Sequence, residues 1–161
     1  MLDASRFKSN LTNLLCAFSN SKLRTINNTF SKASGLTNVA GCFSSNQLTN
    51  IPDNLFAASP LINQAHYCFY SNTSLSSLPT NLFSQSNESQ TINAASMFEQ
   101  CDLSNANIKN FFIANSKMIN NADAMFRKTN ISAISSGIFN NIPNLKSAIG
   151  IFADCNNITS I

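Results

Sequence analysis

One phrase of the sequence occurs twice at a short interval, and it is the feature that most restricts how this chain can fold. The stretch "CFSSNQLTNIPDNLF" covers Cys42–Phe56, and "CFYSNTSLSSLPTNLF" covers Cys68–Phe83. Self-similarity with a period of about 20–50 residues is the signature of repeat architectures, in which one unit cannot bury its apolar side alone and stacks on its neighbours. The phrase therefore predicts a stack of similar units.

The phenylalanines extend this pattern over the whole chain, because they form two series with one member of each series per unit. Successive members of a series are 23–29 residues apart. The first series is Phe7, Phe30, Phe56, Phe83, Phe112 and Phe139. The second series is Phe18, Phe43, Phe69, Phe98, Phe126 and Phe152. We predict six units that start near the first-series residues and form one domain over residues 1–161. The second series, and the first series after Phe7, are the predicted core anchors.

Other apolar and small residues also recur at similar distances from the second-series phenylalanines. Leucine or isoleucine follows each second-series phenylalanine, at Leu23, Leu48, Leu75, Leu103, Ile131 and Ile158. A second apolar residue comes three positions later, at Ile26, Ile51, Leu78, Ile134 and Ile161, and the fourth unit is out of step. Alanine precedes four of the second-series residues, at Ala65, Ala95, Ala122 and Ala148. These alanines indicate places where the interior of the stack is tight.

The third position after each second-series phenylalanine carries a short side chain that can donate a hydrogen bond. These ladder residues are Ser21, Asn46, Asn72, Cys101, Thr129 and Cys155. A buried turn needs such a donor where its main-chain carbonyl groups have no partner in a strand. We therefore predict a structural ladder, in which the loss of one donor costs about 1–3 kcal/mol of stability.

The pattern F-x-x-N-x-L-x-x-I-P-x-x-L-F at Phe43–Phe56 resembles the leucine-rich repeat. The paired phenylalanines and the phrases "MFEQC" at 97–101 and "IFADC" at 151–155 resemble its BspA-like branch, which occurs in bacterial surface proteins and in some phage and parasite proteins. The resemblance covers roughly Phe7–Ile161. It implies a repeat solenoid of about six coils of 23–29 residues, with short parallel strands and irregular or short helical returns.

The local structure of each unit is less determined. The strand is either the segment that ends in the second-series phenylalanine or the "LTNI" segment that follows it. Pro52 and Pro79 introduce the phrases "PDN" and "PTN", which predict a turn or a single helical turn on the return side. Asp53 is expected to cap that helical turn.

The composition excludes several classes of protein. Charged residues make up 11% of the chain and the net charge is +3. The basic residues form no nucleic-acid-binding motif, so we interpret them as solvated surface charges. No apolar run reaches the roughly 18 residues of a membrane span, and the start "MLDASRFKSN" lacks the apolar stretch of a signal peptide. The compartment is unknown from the residues, while the resemblance favours the extracellular space, the cell surface or a virion.

The cysteines raise the question of metal, disulfide or nucleophile chemistry. They are Cys16, Cys42, Cys68, Cys101 and Cys155. No C-x-x-C motif occurs and His66 is the single histidine, so a zinc site has little support. We interpret the cysteines as buried free thiols, with a Cys42–Cys68 bridge as the alternative. Catalysis by a His66–Cys68 pair is not expected, because no third group is specified to orient the histidine.

No catalytic, metal-binding or cofactor-binding residue is predicted, and we expect a protein that is not an enzyme. The leading hypothesis is a binding or adhesion module of a surface-exposed leucine-rich-repeat protein, with a protein or glycan ligand and no nucleic acid. The alternative is a structural component of a self-assembling particle or filament, such as a phage or extracellular assembly, in which copies meet at the open ends. Because the sequence starts and stops within a unit, we also expect a fragment or an array with covered ends.

Overall fold

The computed structural model describes residues 1–83, 90–115, 118–140 and 142–161. Regular elements are few and short. They are the strands β1 (Leu2–Asp3), β2 (Ile26–Asn27), β3 (Ile92–Asn93) and β4 (Ile119–Asn121), a 3-10 helix (Ala4–Arg6) and the helix α1 (Ile108–Asn115). Turns and irregular segments make up most of the described chain. Contacts between distant segments, rather than long helices or strands, therefore hold this fold together.

Every strand pairing is parallel and joins residues 24–29 positions apart. β1 pairs with β2 through Leu2 and Ile26, and β3 pairs with β4 through Ile92 and Ile119. Single-residue bridges join Asn13 to Asn38, Asn38 to Gln64, Gln64 to Asn93, Asn121 to Ser147, Phe56 to Phe83 and Ala133 to Ser160. The chain thus returns beside its own earlier path, in the same direction, after the length of one sequence unit.

The strongest of these contacts lie around the second-series phenylalanines, in what we call the stacked segments. The six stacked segments are 13–20, 38–45, 64–71, 93–100, 121–128 and 147–154. Alternate N–H groups of each segment donate to carbonyl oxygens of the next segment at 2.7–3.0 Å; for example, Phe69 N–H donates to the Met97 carbonyl. The remaining N–H groups close turns within the segment, as Ala17 N–H does on the Leu14 carbonyl.

Each stacked segment contains two residues with left-handed backbone, which explains why the segments are not regular strands. The second residue before each second-series phenylalanine has φ of 51–60°, and the second residue after it has φ of 54–62°. Most of these residues are not glycine, and a left-handed conformation costs such a residue roughly 1–2 kcal/mol. The hydrogen bonds to the neighbouring segments offset this cost. The "LTNI" segments also contact each other, since Thr49 N–H donates to the Arg24 carbonyl.

The core is a continuous column of phenylalanine rings. Neighbouring second-series rings are stacked with centroids 5.6–5.8 Å apart and interplanar angles of 5–13°. In the first series, Phe30 stacks on Phe56 at 5.3 Å and Phe56 on Phe83 at 6.0 Å. Offset stacking adds about 0.5–1.5 kcal/mol per pair to the free energy of burial. The column therefore ties each unit to both of its neighbours.

Phe139 does not belong to the buried core, although its phase predicts a core anchor. Its side chain is 44% exposed, because it lies in the sixth unit and contacts Phe112 on one side only among the described rings. Phe18 and Phe152 are half-buried, because each of them stacks on a single second-series ring among the described residues. The alanine prediction needs a smaller correction, since Ala94 rather than Ala95 is fully buried beside Phe98.

The passage from the fourth unit to the fifth departs from the others because it contains α1. The Asn107 side chain accepts a hydrogen bond from Asn110 N–H at 2.9 Å, which caps the start of the helix. Asn115, at its end, is fully buried and accepts from Leu82 N–H at 2.9 Å. Asp53 caps no helix in the corresponding part of the second unit. Its carboxylate accepts instead from Thr80 N–H of the next unit, at 2.7 Å.

Candidate functional site

The ladder residues Asn46 and Asn72 are buried and bind main-chain groups of two neighbouring units. Asn46 Nδ2 donates to the Phe18 carbonyl at 2.8 Å and to the Phe43 carbonyl at 3.0 Å, while its Oδ1 accepts from Leu23 N–H at 2.9 Å. Asn72 repeats this arrangement one unit later, with the Phe43 and Phe69 carbonyls as acceptors. Each asparagine therefore joins two units through atoms that no strand partner reaches.

The later ladder residues also donate to main-chain carbonyl groups, but within the described chain none of them accepts from a main-chain N–H group as the asparagine amide oxygen does. Cys101 Sγ donates to the Phe69 carbonyl at 3.2 Å, and Cys155 Sγ donates to the Phe126 carbonyl at 3.0 Å. Thr129 Oγ1 donates to the carbonyl of Phe126 in its own unit at 2.7 Å. Ser21, in the first unit, is exposed and bonds the Ser19 carbonyl at 3.4 Å. These side chains are occupied with backbone contacts and are not free to bind a ligand.

A second set of asparagines, which the sequence analysis did not single out, fixes the start of the stacked segments. Asn13, Asn38, Asn93 and Asn121 each accept, through Oδ1, the N–H of the residue two positions later, at 2.8–3.2 Å. This is the asparagine turn that imitates a backbone turn. Its signal in the sequence is asparagine five residues before the second-series phenylalanine in four of six units.

All five cysteines are free thiols, and Cys42, Cys68 and Cys101 are buried. Burial is the largest cause that raises the pKa of Cys42 and Cys68 well above its usual range. Burial likewise raises the pKa of Cys101 to about 12. Because the thiolate is the nucleophile and the metal ligand, these three side chains are unreactive near neutral pH. Cys16, by contrast, is exposed.

His66 lies beside two tyrosines rather than in a cluster of ionisable groups. Its ring meets Tyr67 edge-on at 5.9 Å, and Tyr67 meets Tyr70 edge-on at 5.6 Å. His66 Nδ1 is buried, and among the described residues it has no hydrogen-bond partner. Over the same part of the chain, no group of three histidine, cysteine, aspartate or glutamate side chains is placed to hold a metal ion.

The "LTNI" segments present two rows of polar side chains, which we call the hydroxyl face. One row consists of Arg24, Thr49, Ser76, Ser104, Ser132 and Thr159. The other consists of Thr25, Asn50, Ser77, Asn105, Ala133 and Ser160. Every member is exposed or half-buried, while apolar residues on either side, such as Leu48 and Ile51, are buried. Main-chain bonds hold neighbouring rows close to register, as from Thr159 N–H to the Ser132 carbonyl at 3.1 Å.

Arg24 is the one charged member of the two rows of the hydroxyl face, and the sequence has no lysine or arginine between Lys32 and Lys109. Ser104 Oγ donates to the Asp102 carboxylate beside the face at 3.2 Å. The ion pairs lie elsewhere. Arg127 contacts Asp154 at 3.0 Å and Glu99 at 3.8 Å across three neighbouring stacked segments. Contacts that the hydroxyl face makes therefore rest on neutral hydrogen bonds, with serine and threonine able both to donate and to accept.

The described residues contain no helix with the length and apolar character needed to cross a bilayer. Comparison of the chain with protein-family models, with curated proteins and with solved structures finds no match.

Proposed function

We propose that this chain is a non-enzymatic binding or adhesion module whose hydroxyl face binds a neutral glycan. The carrying observation is the pair of rows of exposed serine, threonine and asparagine side chains, one per unit, on a backbone whose units are hydrogen-bonded to each other. A rigid, regular array of neutral donors and acceptors suits a repeating, hydroxyl-rich ligand, because little side-chain order has to be imposed on binding.

We further propose that the fold is a repeat solenoid of the leucine-rich-repeat type, similar to the BspA-like branch. Three features support this proposal: parallel contacts at the length of one sequence unit, the stacked phenylalanine column and the donor ladder at Asn46 and Asn72. Solenoids of this kind use one extended lateral surface for binding. The resemblance suggests a surface-exposed adhesion protein, and we propose this role by analogy with that family.

A glycan fits the hydroxyl face better than a protein does. Protein interfaces obtain most of their binding energy from tryptophan, tyrosine and arginine. The two rows contain Arg24 and no aromatic residue. The scarcity of cations also disfavours phosphorylated or sulfated ligands, whose binding depends on lysine and arginine clusters. We therefore expect binding that changes little between low and high salt concentration.

The experiment measures binding of the purified chain to immobilised dextran and to an immobilised β-glucan, with heparin as the sulfated comparator. The test variant combines Thr49→Lys and Ser104→Lys, both at exposed positions of the hydroxyl face. Lysine there puts a strongly hydrated charge into the contact, and we expect affinity to fall at least about tenfold. The matched control is Thr80→Lys, at an exposed position that follows Pro79 on the return side.

The proposal requires that the unmodified chain and Thr80→Lys bind a neutral polysaccharide equally and that the double variant binds it poorly. Equal binding by all three chains would show that the hydroxyl face is not the binding site. Binding to heparin alone, with strong salt dependence, would replace the neutral glycan by an anionic one. If the chain captures a protein and no polysaccharide, the partner class in this proposal is wrong.

A further inference from the structure

The hydrogen bonds from main chain to main chain between stacked segments all run in one direction. In each of the five junctions, N–H groups of the earlier segment donate to carbonyl groups of the later one. Phe18 N–H donates to the Cys42 carbonyl at 2.9 Å, and Phe126 N–H donates to the Ile151 carbonyl at 3.0 Å. In an ordinary parallel sheet each strand donates to both of its neighbours. Here the alternate N–H groups of a segment all donate to the same neighbour, so the stack is polar.

This polarity makes the outermost two stacked segments chemically opposite. The sixth segment carries outward N–H groups on Ala148, Gly150, Phe152 and Asp154, and no described residue accepts from them. The first segment carries outward carbonyl groups on Asn13, Leu15, Ala17 and Ser19. Of these four, Ser19 alone has an acceptor contact in the described chain, with the Ser21 hydroxyl at 3.4 Å. Four donors at one edge thus match four acceptors at the other in spacing and order.

The apolar residues at the two edges match as well. Phe152 is half-buried and, among the described rings, stacks on Phe126 alone; Phe18, its counterpart in the first segment, is also half-buried and stacks on Phe43. Ile149 is 77% exposed, and Leu15, at the same phase, is 55% exposed. Beside Phe152 lies a cleft of about 570 Å³, lined by Ile134, Ile138, Phe139 and Ile161 among others. The N–H edge is therefore apolar as well as rich in donors.

We propose that copies of this chain associate head to tail, with the N–H edge of one copy on the carbonyl edge of the next. In this register Ala148 N–H donates to the partner copy's residue 13 carbonyl, and Asp154 N–H donates to its residue 19 carbonyl. Phe152 stacks on the partner copy's first second-series phenylalanine, so the ring column continues across the junction. The contact is heterologous and leaves a free edge at each end of every oligomer, so it propagates instead of closing into a dimer.

This junction is distinct from the hydroxyl face and does not depend on the ligand proposed for it. It uses the same hydrogen bonds and ring contacts as the five junctions inside the chain. Growth of this kind is the behaviour that a structural component of a filament or particle requires. We propose a second copy as the occupant because its carbonyl edge presents four acceptors in the same order as the four donors.

The test uses one blocking substitution at each edge, Leu15→Lys and Ile149→Lys. Both positions are exposed, so the variants are expected to fold, which circular dichroism checks. A lysine would be desolvated against an isoleucine or leucine of the other copy, which prevents association. Leu61→Lys is the matched control, because Leu61 is 45% exposed and lies away from both edges in the third unit. Sedimentation velocity over a roughly hundredfold range of concentration measures the mass of each chain.

We expect the unmodified chain and Leu61→Lys to grow in mass with concentration beyond a dimer, and each edge variant to stay monomeric. A mixture of Leu15→Lys and Ile149→Lys is expected to form a 1:1 dimer, because each variant supplies the edge that the other lacks. A monomeric unmodified chain at every concentration would overturn the proposal. So would dimers of either edge variant alone, a mixture that stays monomeric, or a Leu61→Lys chain that behaves like the edge variants.

Discussion

The third unit and the sixth unit carry corresponding residues in different surroundings. Phe69, in the third unit, stacks on rings on both sides at 5.6 Å and is fully buried. Phe139 and Phe152, in the sixth unit, are exposed and half-buried respectively. Asn72 is fully buried and bonds main-chain atoms of two units, whereas Cys155 is only partly buried at the same phase. The position of a residue within its unit thus determines which groups it contacts. The number of neighbouring units determines how deeply it is buried.

We expect that no unit is stable by itself. The regular elements are at most eight residues long, and an isolated helix or strand of that length is marginal in water. Each unit's free energy therefore comes from the junctions with the units beside it. Inner units have two junctions and outer units have one. Substitutions at matched positions should differ in cost accordingly.

The largest difference is expected between Phe69→Ala and Phe139→Ala. Truncation of the buried Phe69 opens a cavity in the ring column and should lower the free energy of unfolding by about 3–5 kcal/mol. Phe139 is 44% exposed, so its truncation should cost less than about 1 kcal/mol. Urea denaturation followed by circular dichroism measures both values. Equal losses at the two positions would contradict the dependence of burial on neighbouring units.

The ladder provides a smaller contrast between Asn72→Ala and Ser21→Ala. Asn72→Ala leaves Leu48 N–H without its partner in the interior and removes one of the two amide donors to the Phe43 carbonyl, and a loss of about 1–3 kcal/mol is expected. Ser21 is exposed, so its truncation should change stability by less than about 0.5 kcal/mol. The same denaturation assay applies. If the ladder residues do not stabilise the fold, the two variants will have the same free energy of unfolding.

The thiols predict how stability depends on alkaline pH. Burial raises the pKa of Cys42 and Cys68, so the folded state retains protons that the unfolded state releases above pH 9 or so. The contribution of these thiols is thus fully present below the ordinary thiol pKa and is lost as the pH rises above it. The urea concentration at the midpoint of unfolding should decrease as the pH is raised from 8 to 10. This decrease should be smaller in the Cys42→Ala, Cys68→Ala double variant. An unchanged decrease would mean that other groups cause the pH dependence.

The side chains that fill the interior could be predicted from the sequence, because phenylalanine recurs at a fixed phase and burial follows apolar periodicity. The donors at Asn46 and Asn72 could be predicted for a related reason, since a short polar side chain at a buried phase has to bind the backbone. The repeat-solenoid class and its family resemblance stay predictions.

The backbone of the stacked segments could not be predicted in the same way. The left-handed positions are occupied by residues as different as Cys16, Tyr67 and Ala124, so no residue type marks them. Their conformation is imposed by hydrogen bonds to neighbouring units, which are tertiary contacts. The exposure of Phe139 was missed because the position of a residue in the repeat gives no information on how many side chains pack against it. The hydroxyl face was missed because serine and asparagine are frequent throughout the chain.

We conclude that hydrogen bonds at the junctions between units hold this fold together. Amide hydrogen exchange at Phe98 and Phe152, which occupy the same position in two units, tests this conclusion. Phe98 N–H donates to the Met125 carbonyl at 3.0 Å, while no described residue accepts from Phe152 N–H. In the Ile149→Lys variant, which is expected to be monomeric, Phe98 should exchange at least about 100-fold more slowly than Phe152. Equal exchange rates at the two amides would contradict the account.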